Sequence, residues 1–166
     1  GWPDILLGGS TNANSSGAIC RIFRNNHDGT FADIGANLPG LYQASNYYYA
    51  WWGDYFANAA WGDYDGDGQL DVLLCGVATN AGPPAARIYR NDHGVFTDIG
   101  TSLADTTGGA GGWGDYDGDG SLDLALIGNR PYYGTTTLIY RNFLSPPGDP
   151  PERPTAPSAT DTVVIN

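Results

Sequence analysis

The segment WGDYDGDGQLDVLLCG, Trp61 to Gly76, returns as WGDYDGDGSLDLALIG, Trp113 to Gly128. Similarity at a fixed spacing identifies a repeat architecture before any single residue does. Working outward, RIYRN (Arg87 to Asn91) returns as LIYRN (Leu138 to Asn142) and stands upstream as RIFRN (Arg21 to Asn25). The run HDGTFADIG, from His27, matches DHGVFTDIG, from Asp92. Gly1 to Leu7 superposes on Gly68 to Leu74, which aligns Asp4 with Asp71.

Each repeat therefore reads as four short strands: one ending at WGD, one of type DVLLCG, one of type RIYRN and one of type FTDIG. Short apolar runs bounded by Gly, Asn and Asp are strand signals, and imperfect alternation is expected where both faces of a sheet are packed. Four antiparallel strands in ~50 residues is the size of a β-propeller blade. The predicted fold class is all-β, with blades of four antiparallel strands, calcium-binding loops and about two and a half blades. Residues 1–142 are assigned to the repeats: 1–35 a partial blade, 36–60 insertion and linker, 61–100 a blade, 109–142 a blade. The insertion holds a partial WGDY echo, Trp52 to Tyr55, without the acids that would make a metal site. Residues 143–157 form a Pro-rich linker, and 158–166 read as the first strand of another domain.

The loop Asp63-Tyr64-Asp65-Gly66-Asp67-Gly68-Gln69-Leu70-Asp71 places acids at positions one, three, five and nine and a backbone carbonyl at seven. Such spacing wraps oxygens around a hard cation, and Gly68 permits the sharp turn. Crowded carboxylates repel one another unless protonated, splayed or bridged by a divalent ion, and a ligand set made only of oxygen favours calcium over zinc or copper. The expected ligands are Asp63, Asp65, Asp67, Gln69 and Asp71 for one Ca²⁺, and Asp115, Asp117, Asp119, Ser121 and Asp123 for a second. Asp4 is the candidate remnant of a third site. An EF-hand is excluded, because Leu74 and Leu126 occupy the twelfth position where a bidentate Glu would stand. The competing interpretation is a pair of hairpin turns with solvated acids; repetition at one repeat position, each time closed by a ninth-position Asp, favours the ion.

Net charge is −11, with no Lys, seven Arg, seventeen Asp and one Glu. That balance argues against nucleic acid, and no basic run exists to dock on an anionic membrane. No apolar stretch is long enough to span a bilayer, and the first residues lack the pattern of a signal peptide. Cys20 and Cys75 lie in apolar strand-like runs, as buried free thiols or as a disulfide. His27 and His93 occupy corresponding hairpin positions, which points to turn structure and not to a general base. Arg24, Arg90 and Arg141 recur at one strand end, which suggests pairing with a neighbouring carboxylate. Tyr47, Tyr48, Tyr49, Trp51 and Trp52 either fill the space between blades or offer a surface for sugars or proteins.

These residues resemble the FG-GAP, or VCBS-type, repeats of integrin α-subunit propellers and of many large bacterial surface proteins. The resemblance covers nearly everything up to Asn142. It implies that the acidic loop joins a blade's innermost strand to the next, and that the aromatic-Gly pair ahead of it lies near the central axis. The tail from Pro154 resembles the entry to a fibronectin type III-like domain. Propellers of this kind close with about seven blades. The chain is therefore expected to be a segment of a longer polypeptide, since both ends fall inside motifs, or one of several copies completing a ring.

The function this supports is a non-enzymatic, calcium-stabilised propeller segment of a secreted or cell-surface bacterial protein in adhesion, scaffolding or protein interaction. Its expected partners are further blades or copies and an extracellular protein or glycan. Nucleic acid and membrane insertion are excluded from that expectation. Alternatives are a carbohydrate-binding propeller lectin and part of a calcium-containing polysaccharide-degrading enzyme. No Ser-His-Asp order, nucleophilic Cys context, phosphate loop or zinc spacing is present.

Overall fold

The computed structural model describes residues 2–10, 17–41, 58–77, 85–101, 103, 107–130 and 134–142. The aromatic cluster Tyr47 to Trp52, the WGDY echo, the Pro-rich linker and the expected fibronectin-like strand lie outside them. Ten strands are described, and no helix occurs among the described residues. A first sheet holds β1 (Ile5–Ser10), β2 (Ala18–Asn25) and β3 (Phe31–Asp33). The second holds β4 (Asn58–Gly62), β5 (Asp71–Val77), β6 (Ala85–Asp92) and β7 (Val95–Asp98) in sequence order. In the third, β9 (Asp123–Arg130) lies between β8 (Thr107–Gly114) and β10 (Gly134–Tyr140). All pairings are antiparallel.

Among the described residues only the second sheet carries all four expected strands, because β1 to β3 match its second to fourth and β8 to β10 its first to third. These are the strand order and size of propeller blades.

The sheets pack face to face, and β5 shows why DVLLCG is apolar throughout. Val72 and Leu74 turn to the first sheet, where they join Cys20, Ile22, Leu38 and Leu41. Leu73 and Cys75 turn the other way and pack with Leu103, Leu124, Leu126, Leu138 and Tyr140. Successive side chains of a strand point to opposite faces, so a sheet between two sheets needs an unbroken apolar run. Both cysteines are free buried thiols, one in each core, and burial pushes Cys20 up to about 11 and Cys75 up to about 12.

Close approach explains the glycine-rich β8. A Cβ on Gly111 would stand 2.6 Å from Leu73 Cδ2 and 2.9 Å from Cys75 Sγ. The same strand is pinned across the interface where Gly111 N donates to Asn58 Oδ1 at 3.1 Å. The outer faces of the array carry exposed apolar side chains: Ile5 and Leu7 on the first sheet are 43% and 46% exposed, and Ile127 on the third is 48% exposed.

Candidate metal centre

Each acidic loop is the hairpin joining the first two strands of its sheet, between β4 and β5 and between β8 and β9. Gly62 pairs with Asp71 and Gly114 with Asp123, so the ninth-position acid is already the first residue of a buried strand. Gly66 and Gly68 have φ of +72° and +87°, and Gly118 and Gly120 +77° and +91°, a left-handed region that side-chain-bearing residues rarely enter.

The loops gather their carboxylates. Oxygens of Asp63, Asp65 and Asp71 lie within 4.8 Å of one another, as do those of Asp115, Asp117 and Asp123. Backbone amides hold them in place. Asp63 Oδ2 accepts from Gly68 N at 3.0 Å, and Asp115 Oδ2 accepts from Gly120 N at the same distance. Asp71 is fully buried and accepts from Tyr64 N at 3.1 Å and Asn91 N at 2.8 Å. Asp123 repeats this with Tyr116 N at 3.1 Å and Asn142 N at 2.7 Å.

Burial, the largest influence, pushes the Asp71 carboxyl up to about 6 despite those amides, and it raises Asp65 as well. Charge gathered in poorly solvated surroundings is costly unless something positive compensates it. The residues present fit a hard cation. Asp63 Oδ1 is buried without a hydrogen-bond partner, Asp65 is only 4% exposed at its side chain, and every candidate donor is oxygen. In the second loop Asp115 and Asp117 are exposed, and Asp123 alone of the three is buried.

The fifth-position acids stand apart from these clusters. Asp67 Oδ1 accepts from Gln69 N at 2.8 Å and Oδ2 from Arg90 Nη2 at 3.4 Å; Asp119 does likewise with Ser121 N at 2.8 Å and Arg141 Nη2 at 3.3 Å. Both are held below the usual carboxylate range, chiefly by those backbone amides. Arg90 Nε also lies 2.8 Å from Asp65 Oδ2, and Arg141 Nε pairs with Asp117. The carboxylate pairing expected of the recurrent arginines is thus present at Arg90 and Arg141. In the first sheet, among the described residues, it is Arg21 and not Arg24 that pairs, with Asp33 at 3.0 Å. Among the described residues Gln69 and Ser121 engage through their amides, and Gln69 Oε1 accepts from His93 N at 2.7 Å.

His27 and His93 have φ of +67° and +54°, the left-handed turn geometry that their repetition suggested. His93 is exposed, and its Nδ1 lies 2.8 Å from Asp92 Oδ1.

One set of residues escaped the sequence reading. Asn25, Asn91 and Asn142, which close the RIFRN, RIYRN and LIYRN motifs, each give their backbone amide to the ninth-position acid: Asp4 at 2.8 Å, Asp71 at 2.8 Å and Asp123 at 2.7 Å. Their side-chain amides clasp the loop, Asn91 on Leu70 O at 3.0 Å and Asn142 on Leu122 O at 3.2 Å. Asn142 reaches further, donating to Tyr64 O of the neighbouring loop at 2.6 Å. Beside it the Tyr64 and Trp113 rings stack 6.2 Å apart. The signal was in plain view: Arg-Asn is invariant across the three copies.

With the repeated loop geometry in place, comparison with protein families is decisive: the model for an FG-GAP-like repeat matches residues 1–74 and again 63–126. The chain belongs to the FG-GAP-like repeat family. Comparison with curated proteins and with solved structures returned no match. Both matches of this FG-GAP-like protein include an acidic stretch whose carboxylates can hold a metal ion. Among the described residues no helix is long and apolar enough to cross a membrane.

Proposed function

We propose that this FG-GAP-like chain is a calcium-stabilised, non-enzymatic part of a β-propeller in a secreted or cell-surface bacterial protein, acting in adhesion or extracellular scaffolding. The observation that carries the reading is the pair of equivalent loops, each presenting three clustered carboxylates against a buried strand end. An ion there would be held by Asp63, Asp65 and Asp71 and by Asp115, Asp117 and Asp123, with Asp67, Asp119 and the carbonyls of Gln69 and Ser121 available to complete the shells. It would neutralise crowded charge and fix the hairpin that spaces two strands, so its binding adds to folding stability.

The exposed apolar side chains on the outer faces of the first and third sheets suit further blades. Ile5 and Leu7 correspond to Val72 and Leu74, and Ile127 to Cys75, residues that pack against a neighbouring sheet within the array. Blades from the same polypeptide or from other copies would cover them, leaving the connecting loops as the binding surface for an extracellular protein or glycan.

Thermal melting with and without a calcium chelator tests the structural ion. The midpoint should fall on chelation and recover when calcium is restored; coincident melts would reject the role.

A propeller lectin is a second reading, favoured by one feature. Between the first and second sheets runs an open groove of about 710 Å³ lined by Trp2, Arg24, Trp61, Asn91 and Phe96 among others, with Trp2 63% exposed. Aromatic faces beside amide and guanidinium donors suit sugar rings. Binding on a glycan array that is lost in Trp2→Ala would support it, and an empty array would remove it.

A further inference from the structure

We infer that Arg90 and Arg141 are built-in counter-cations that compete with the metal ion for the loop carboxylates and so set its affinity. The inference rests on the calcium reading above and adds a role for residues outside the acidic motif.

Arg90 lies on the third strand of its sheet and Arg141 just past the end of its own third strand, some twenty residues beyond the loop, and they approach it with the same atoms. Nε faces the third-position acid, Asp65 or Asp117, and Nη2 the fifth, Asp67 or Asp119. Such agreement between two loops is a property of the repeat. The third-position acids stay with the first and ninth while also facing the guanidinium Nε, and Asp67 and Asp119, each bonded to Nη2, stand outside both groups. For a fifth-position acid to join the others around an ion, the guanidinium must give it up.

The hold is suited to exchange. Arg90 Nε is 2.8 Å from Asp65 Oδ2, yet neither atom has a hydrogen-bond partner, so that contact is charge attraction without hydrogen-bond alignment. Arg90 and Arg141 are themselves 43% and 39% exposed, so a released guanidinium moves directly into water. A monovalent cation on a flexible stem thus supports the loop in the absence of metal, and a divalent ion with a full oxygen shell outbids it. The arginine lowers the repulsion among the acids before binding, and the same charge opposes the ion's arrival.

Calorimetric titration of Ca²⁺ into chelator-treated protein, wild type against Arg90→Gln, tests this, with the second loop and its Arg141 as the internal control. A like charge touching two ligands in a water-like dielectric is worth roughly threefold to tenfold in affinity. One of the two sites should tighten by that factor in Arg90→Gln, the other should keep its affinity, and the metal-free melting midpoint should drop. Arg90→Lys, which keeps the charge without the fork, should stay near wild type in affinity; Arg141→Gln should transfer the effect to the other site. Weakened or unchanged binding in both Gln variants would overturn the inference, showing that the guanidinium aligns the ligands and does not compete. Absence of Ca²⁺ uptake by the wild type would instead overturn the calcium reading itself, and the inference with it.

Discussion

Replacing Asn142 by Ala removes two hydrogen bonds, to Tyr64 O at 2.6 Å and Leu122 O at 3.2 Å, while the backbone amide remains free to hold Asp123. Asn142 is 7% exposed and Tyr64 4%, so the Tyr64 carbonyl loses its partner where water has little access. A buried acceptor left unpaired costs ~1–3 kcal/mol, and a partly accessible one, as at Leu122, nearer the ~1 kcal/mol of an ordinary net hydrogen bond. Asn142→Ala should therefore destabilise the chain by ~2–4 kcal/mol. Asn91→Ala is the matched control. Its bonds to Leu70 O and from Gly94 N lie in exposed surroundings, where water can substitute, so ~1 kcal/mol is expected. Urea unfolding of both variants at fixed calcium measures the difference by linear extrapolation. Equal losses, or a larger one for Asn91→Ala, would refute the claim that Asn142 ties adjacent loops together.

Acid should stabilise the metal-free form. Because burial raises Asp71 from 3.8 to about 6, its contribution is full below pH ~3.8 and is lost as pH rises through about 6. Asp67 and Asp119 are shifted the other way and act only below their ordinary range, so the metal-free melting midpoint should rise between pH 7 and 5. In saturating calcium the trend should reverse, since protons then compete with the ion, and a metal-free midpoint that falls toward pH 5 would contradict the assignment. Gly111→Ala should cost ~1–3 kcal/mol, as its methyl would crowd Leu73, Leu126 and Cys75, whereas Gly112→Ala meets nothing within 4 Å and should be close to neutral in the same urea assay.

The fold was readable because the acidic hairpin repeats together with the strands that flank it, and because β5 is apolar on both faces. That second property encodes the position of a sheet between two others, and Val72 against Leu73 shows it directly. The acidic loops were readable because acids at positions one, three, five and nine recur at the same place in two repeats. What pattern could not supply was distance between strands. Asn142 lies 78 residues from Tyr64, and only the stacking of one sheet on the next brings its side-chain amide to that carbonyl. The contact of Arg90 with Asp67 was equally hidden, since it depends on where β6 falls once the sheet has formed. Glycine-rich β8 carries little strand propensity and gains its place from what Gly111 allows its neighbours to do.

Counting bound ions tests the central claim most directly. Titration of calcium into metal-free protein should give two ions per chain, falling to one when Asp63→Ala removes the carboxylate with the orphaned oxygen and to one again in Asp115→Ala. A chain that takes up no calcium, or that keeps both ions in either variant, would contradict it.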